Sequence, residues 1–290
     1  MRVMLAIKAR CFARTFFVVS VARLVSNLIR VFGLKCIANR YSGEIYFFRI
    51  REDRKLYTLK ESESRVLLNI GSGGFRHPRW TNIDVPSVSG AYKKIQGKPN
   101  VDFLPLDLIK ARKLPYDSDS VHAVYTSHCI EHLPRAIVIR LLTEINRVLC
   151  FGGTLRVICP DAELYAARAI SLWSRNRIQP DLSKTIGAIH HSLSGLAGSN
   201  LEKLFCKPLN SRALLFRIEE MIKGESVVTN DPSHHLSWWT RESLLACLIE
   251  AGFNDPVLSS VGQSRFLPMT NLALFDCTLP EISLFVEARK

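Results

Sequence analysis

The stretch NIGSGGFRHPRWTNIDV, residues 69–85, places a glycine-rich turn between two short apolar runs, and the second run ends on Asp84. Residues 65–70 are aliphatic enough for a buried parallel strand. Glycines directly after such a strand let the backbone pass where a Cβ would clash, often against a ligand. An acid at the end of the next strand can hold a ribose diol. The pattern favours a nucleotide-like ligand; the alternative is a tight turn with a solvated Asp84.

The same arrangement of a short strand followed by polar residues recurs along the chain. Residues 101–108 (VDFLPLDL) predict a strand ending near Leu104, and residues 118–133 predict a strand at 121–126 followed by a polar cluster. A helix from Pro134 that stops at Gly152 comes next. A further strand, ended by Pro160, completes the alternation.

This alternation predicts an α/β protein with a Rossmann-like, mostly parallel sheet and helices on both faces. Ligands of such sheets bind at the carboxyl ends of the strands. We assign residues 61–290 to this domain and residues 162–236 to an inserted helical cap. A helix capped by Thr240 and a final strand at 282–290 follow the cap.

Excess positive charge is concentrated in residues 1–60. They hold 13 of the 39 Lys and Arg residues but only 3 of the 26 Asp and Glu residues, so the remainder is close to neutral. This argues against a nucleic-acid groove on the main domain. Residues 14–34 form a basic amphipathic pattern that is too interrupted by arginine to span a membrane.

Three roles fit this N-terminal arm. Residues 1–40 form an interfacial helix on an anionic membrane, an organellar transit segment, or a helix packed on the main domain with its arginines in water. The 8 cysteines include no C-x-x-C pair, which favours a reducing compartment over a disulfide framework. We therefore expect a cytoplasmic protein, with peripheral attachment to the inner face of a membrane as one possibility.

From about Arg65 to Lys290, apart from the cap, the chain resembles a class I S-adenosylmethionine-dependent methyltransferase. Within that class it is most similar to members associated with cell-surface sugar and lipopolysaccharide biosynthesis. The resemblance rests on the segments LLNIGSGG, NIDV, LPLDL, LPYDSDSVHAVYTSHCIEHL, EINRVLCFGGTLRVICPDAE and WWTRESLLACLIEAGF.

The resemblance implies S-adenosylmethionine as cofactor and assigns residues to it. The methionine part faces the glycine turn of Gly71, Ser72, Gly73 and Gly74. The ribose is bound by the strand-end acid Asp84, and the adenine is flanked by Asp107 and Leu108. The methyl group lies beside Ser127 and His128.

The sequence departs from the family pattern at one place. Only residues 71–80 separate the first two strands, fewer than the ~10–12 that a helical crossover usually needs, so a short turn must replace the first helix. NAD binding is disfavoured because Arg76 occupies a position where G-x-G-x-x-G needs glycine.

A methyltransferase acting on a hydroxyl needs a proton acceptor. The candidates are His128, Glu131, His132 and His235. We favour His235 because it lies at the end of the cap, which would place it on the acceptor side. Glu131 and His132 have an alternative role in capping the following helix, and His235 an alternative as a solvated residue. No ligand spacing calls for a metal.

Two functions follow. The favoured one is transfer of a methyl group to a hydroxyl of a glycan or other small cell-envelope intermediate. The alternative is a non-catalytic methyltransferase-like domain that docks a membrane or partner through its basic arm.

Overall fold

The computed structural model of the 290-residue chain describes residues 6–8, 25, 34–38, 44–49, 57, 65–86, 92–93, 96, 102–175, 181–206, 209–223 and 231–290. The chain divides into two compact units, one of residues 1–65 and 259–283, the other of residues 66–258 and 284–290. Apart from helical Val25, the predicted arm helix lies outside the described residues. The predicted division at residue 60 stays a prediction.

The first unit contains a small antiparallel sheet that the sequence analysis did not predict. Its strands are β1 (Ala6–Lys8), β2 (Leu34–Ala38) and β3 (Glu44–Arg49), arranged in the order β1-β3-β2. Residues 259–283 of the same unit contain 3₁₀ turns at Leu267–Thr270 and Pro280–Ile282.

The second unit is built on a seven-stranded sheet in the order β6-β5-β4-β7-β8-β10-β9. Neighbouring strands from β6 to β8 run parallel, and β9 pairs antiparallel with β10. This confirms the predicted Rossmann-like, mostly parallel sheet. The strands are β4 (Val66–Ile70), β5 (Thr81–Asp84), β6 (Phe103–Pro105), β7 (Val121–Ser127), β8 (Leu149–Pro160), β9 (Val257–Leu258) and β10 (Ser283–Arg289).

Helices α1 (Arg135–Val148) and α6 (Arg241–Glu250) bury apolar residues in the same core as the sheet. The predicted stop of α1 at Gly152 is wrong, because Leu149 already begins β8. Leu149 is buried opposite Val121, so the end of the apolar run extends the sheet and not the helix.

In the described part of the predicted cap segment, four helices enclose an apolar cluster of their own. Asp161 caps the first of them by accepting hydrogen bonds from the backbone N–H groups of Glu163 and Leu164. The cap helices are α2 (Ala162–Ser174), α3 (Asp181–Gly187), α4 (Ser199–Leu204) and α5 (Ser211–Ile222).

The loop between β4 and β5 contains no helix, as its length predicts. The buried side chain of Asn82 organises it instead. Its Nδ2 donates to the backbone oxygens of His77, Trp80 and Asp102, each at 2.9 Å. Its Oδ1 accepts from the His77 N–H at 2.8 Å and from Asn69 Nδ2 at 2.9 Å. One carboxamide thus satisfies backbone groups that a helix would otherwise pair.

Replacing this carboxamide should therefore destabilise the protein strongly. We expect Asn82→Ala to lower the free energy of unfolding by about 3 kcal/mol or more, because each buried partner left unsatisfied costs about 1–3 kcal/mol. Asn146→Ala is the matched control, since Asn146 makes one exposed hydrogen bond to Gly252, and should cost no more than about 1.5 kcal/mol. Urea unfolding followed by circular dichroism measures both; equal losses would contradict the assigned role of Asn82.

Candidate functional site

The sheet changes direction of growth between β4 and β7, since β5 and β6 lie on one side and β8 on the other. The carboxyl ends of strands at such a switch point border the crevice where open α/β sheets bind ligands. The glycine turn follows β4 there, and Ser127 and His128 lie at the end of β7. The structure thus brings two of the predicted groups to adjacent strand ends.

The glycines of the turn have different roles. Gly71 and Gly73 both have positive φ, 67° and 52°, which favours glycine. A Cβ on Gly71 would lie 2.2 Å from Cys129 Sγ, whereas one on Gly73 would meet none of the described residues within 4 Å. Gly71 therefore makes room for a protein side chain, and Gly73 borders open space. Ser72 is buried and Gly74 is exposed.

Asp84 is buried at the end of β5, with 4% of its surface exposed. Its Oδ2 accepts from the Gly73 N–H at 2.6 Å and from the Tyr92 hydroxyl at 2.7 Å, and its Oδ1 accepts from the Val85 N–H at 2.7 Å. Burial, and then the Asp84 charge, raises the pKa of Tyr92, so the phenol stays protonated and donates. Sequence reasoning missed Tyr92, because no motif links it to Asp84. A carboxylate offers about four acceptor positions, so Asp84 retains acceptor capacity.

Asp107 follows β6, the neighbour of β5, but its side chain is used locally. Its Oδ1 accepts from the backbone N–H groups of Ile109 and Lys110 at 3.0 and 3.3 Å, and Lys110 Nζ lies 3.2 Å from Oδ2. Leu108 is buried, and its carbonyl accepts from Arg140. Asp107 thus shapes the loop in which Leu108 lies.

His128 turns the chain sharply at the end of β7. Its φ of 51° is uncommon for a residue with a side chain, and its N–H donates to the Ile158 carbonyl at 2.8 Å. Such conformations concentrate at functional sites. The adjacent Ser127 Oγ is buried and has no hydrogen-bond partner among the residues that the structure describes.

Glu131 is the most buried of the candidate catalytic residues, with 1% of its surface exposed. His128 Nδ1 lies 3.2 Å and His132 Nε2 lies 3.8 Å from its Oε1, yet within the described part of the chain neither carboxylate oxygen has a hydrogen-bond partner. Burial acts to raise the pKa of Glu131, but His128, followed by His132 and His235, outweighs it and lowers that pKa.

The two other histidines of this group are held through their Nδ1 atoms. His132 Nδ1 lies 3.1 Å from the His234 carbonyl oxygen, and His235 Nδ1 lies 2.6 Å from the Ala188 carbonyl oxygen. The rings of His132 and His235 meet edge to face, with centroids 4.8 Å apart. Burial lowers the pKa of His235, which favours the neutral ring.

The end of the cap is bonded to the segment after β7. The N–H groups of Leu236 and Ser237 donate to the Glu131 carbonyl at 2.7 and 3.1 Å, and Ser237 Oγ donates to the Ile130 carbonyl at 3.1 Å. The structure therefore gathers all four candidate catalytic residues into one cluster.

One alternative from the sequence concerned the start of α1. Among the described residues no side chain caps this helix, so the capping role for Glu131 and His132 is wrong. Sequence reasoning overlooked His190 and His191 of the cap, although the doubled histidines were a visible signal. The His191 ring stacks on His234, with centroids 4.7 Å apart.

The chain was compared with known proteins. Residues 74–157 match the family described as "Methyltransferase domain". The likeness to this family is confined to the matched segment. It covers less than a third of the chain and runs from the glycine turn into β8. No curated protein matches the chain.

Several solved methyltransferase structures are similar at low identity. An S-adenosylmethionine-dependent methyltransferase from Mesorhizobium loti is 17% identical, with a TM-score of 0.41, covering 82% of this chain and 95% of that one. A SAM-dependent methyltransferase from Archaeoglobus fulgidus is 13% identical, with a TM-score of 0.41, covering 95% and 99%. Human N-acetylserotonin methyltransferase in complex with SAM is 14% identical, with a TM-score of 0.39, covering 96% and 57%. The fold assignment rests on the strand order and not on these likenesses.

Proposed function

We propose that the protein is an S-adenosylmethionine-dependent methyltransferase. The observation that carries this proposal is the buried Asp84 carboxylate, bonded to the glycine turn beside the switch point of the sheet. The methyltransferase domain match over residues 74–157 supports it independently. In this proposal Asp84 holds the ribose hydroxyls, residues 107–108 flank the adenine, and the open side of Gly73 faces the methionine part.

S-adenosylmethionine supplies an activated methyl group when bound. The remaining task of the protein is to align a nucleophile and manage its proton. Glu131, His132 and His235 lie close to the end of β7. Because His235 favours its neutral form, this cluster suits an acceptor whose hydroxyl must lose a proton. We therefore propose hydroxyl methylation, with the choice of a glycan or cell-envelope intermediate resting on the family resemblance alone.

We further propose that residues 1–40 attach the protein to an anionic membrane surface on its cytoplasmic side. The support is the basic amphipathic pattern of the sequence, with no acidic residue before Glu44. Among the residues that the structure describes, no helix is both long and apolar enough to cross a membrane.

The cofactor assignment predicts that the purified chain binds S-adenosylmethionine and that Asp84→Asn weakens binding about tenfold or more. Each lost charge-assisted hydrogen bond is worth about 1.5–3 kcal/mol. Asp119→Asn is the control, because Asp119 lies before β7, at the opposite end of that strand. Titration calorimetry gives both affinities. A folded Asp84→Asn protein with unchanged affinity would refute the ribose assignment, and a wild type that binds no cofactor would favour the non-catalytic alternative.

The acceptor proposal predicts methyl transfer to hydroxyl groups that depends on His235. With methyl-labelled S-adenosylmethionine and a panel of glycans and lipid-linked sugars, we expect His235→Gln to lower turnover about 100-fold or more. Cofactor affinity should stay within about twofold, because the residue acts on the acceptor. His234→Gln serves as the neighbouring control. Full activity of His235→Gln would exclude His235 from the reaction.

The membrane proposal predicts that binding to vesicles requires anionic lipid. Each basic residue near the surface contributes about 1 kcal/mol, and this contribution is screened by salt. The full chain should sediment with vesicles that contain about 30% phosphatidylserine at low salt, and it should be released from them at high salt. A variant starting at Tyr41 should remain in solution. Equal binding to neutral vesicles would contradict the proposal.

A further inference from the structure

We propose that Glu131, His132 and His235 bind one divalent transition-metal ion. Each of the three residues offers one donor atom, and these atoms all lie within 4.8 Å of one another. Two imidazoles and one carboxylate form a ligand set that suits Zn²⁺ and other first-row ions. Three protein ligands leave a coordination position open, as in catalytic sites and unlike structural ones.

The environment of Glu131 is the first independent support. Its side chain is almost fully buried, and among the described residues neither of its oxygens has a hydrogen-bond partner. Buried charges in proteins are paired or coordinate metals, because an unpaired carboxylate costs several kcal/mol or more to remove from water. The neighbours His128 and His132 carry charge only when protonated, whereas a bound ion would compensate the carboxylate permanently.

The orientation of the two histidine rings is the second support. A carbonyl oxygen only accepts, so the contacts of His132 with His234 O and of His235 with Ala188 O place a proton on each Nδ1. In the neutral ring, Nε2 then carries the free lone pair. Metal-binding histidines are usually fixed in this way, with the other ring nitrogen donating to a carbonyl or carboxylate.

His128 has a supporting position in this arrangement. Its Nδ1 lies 3.2 Å from Glu131 Oε1, where it can orient the carboxylate without occupying the second oxygen. We therefore treat His128 as a positioning residue and not as a ligand. Bonds of about 2.0–2.1 Å to a tetrahedral ion separate donor atoms by about 3.3 Å, so binding would draw the three side chains closer than the present 4.8 Å limit.

The role of the ion rests on the proposed function. Cys129 Sγ lies against Gly71 of the glycine turn, and the Cys129 carbonyl accepts from the His132 N–H at 3.0 Å, so the ion would stand beside the cofactor end of the sheet. Its open position would bind the acceptor oxygen and lower the pKa of that hydroxyl, which loses its proton to water. The oxygen then forms a bond to the methyl carbon as the carbon–sulfur bond breaks, with its electron pair passing to sulfur. His235 would act as a ligand and not as the proton acceptor expected from the sequence.

Metal binding can be tested without knowing the acceptor. The full chain is stripped with a chelator and titrated with Co²⁺, followed by visible absorption, and Zn²⁺ content is measured after loading and dialysis. We expect one ion per chain. Glu131→Gln and His235→Gln should weaken binding about 100-fold or more, and His128→Gln about 10–100-fold as an outer partner. His234→Gln, the adjacent control, should stay within about twofold of the wild type.

Thermal unfolding of the same proteins guards against a variant that merely misfolds. Metal-free Glu131→Gln should unfold in one cooperative transition, as the metal-free wild type does, which shows that the variant is folded. Added Zn²⁺ should raise the melting temperature of the wild type but not of Glu131→Gln. A wild type that binds no ion, or a Glu131→Gln variant that binds like the wild type, would overturn the proposal. Cofactor calorimetry on the wild type reports separately on the proposed methyltransferase function.

Discussion

The hydrogen bond between the side chains of Asn69 and Asn82, 2.9 Å long and buried, joins the two strands on which the cofactor site depends. Parallel neighbours normally need a helix between them to return the chain. Here the two carboxamides hold a helix-free loop in place, and Asn69 also donates to the Phe75 carbonyl at 3.0 Å. With the loop fixed, the Gly73 N–H reaches the Asp84 carboxylate at 2.6 Å. The geometry of the candidate cofactor site thus follows from a buried polar network within the fold.

Two buried glutamates show how differently the protein treats the same charge. Glu287 is 2% exposed and meets the fully buried guanidinium of Arg156 at 3.0 Å, where the partner is always charged. Glu131 is equally buried, but its neighbours are histidines, which carry charge only when protonated. Burial disfavours that charged form for His235. The first glutamate is therefore compensated by a permanent charge, whereas the second depends on histidines, and this difference sets the cluster apart as a site.

Much of the sheet was predictable from the sequence, because its strands are short apolar runs that end in glycine, proline or acidic residues. The strands ending at Asp84 and Pro160 are examples. The end of α1 was not predictable, because Leu149 continues the apolar stripe of the helix but belongs to the next strand. The small sheet of the first unit was missed because its strands flank the basic amphipathic pattern of residues 14–34, and no turn or strand motif marks them in the sequence.

Within the site, sequence reasoning located residues at strand ends but not the partners that reach them across space. Asp84 was identified from its position after the glycine turn, whereas the Tyr92 hydroxyl that bonds to it comes from a segment without a motif. The glycine pattern also conceals two roles, since Gly71 yields space to Cys129 and only Gly73 borders open space. The spacing of glycines in the sequence cannot distinguish these two roles, because the roles depend on contacts with segments that are distant in the chain.

The cluster around Glu131 also depends on contacts between distant segments of the chain, which the sequence alone does not reveal. Glu131 and His132 are adjacent in one 3₁₀ turn, but the third donor, His235, lies about 100 residues later, at the end of the cap. The backbone bonds from Leu236 and Ser237 to the Glu131 carbonyl bring that donor into place. The cluster is therefore complete only when the cap is folded against the segment after β7. The same contacts position the cap, which we expect to select the acceptor. The structure therefore connects the cap to the residues that we propose activate that acceptor.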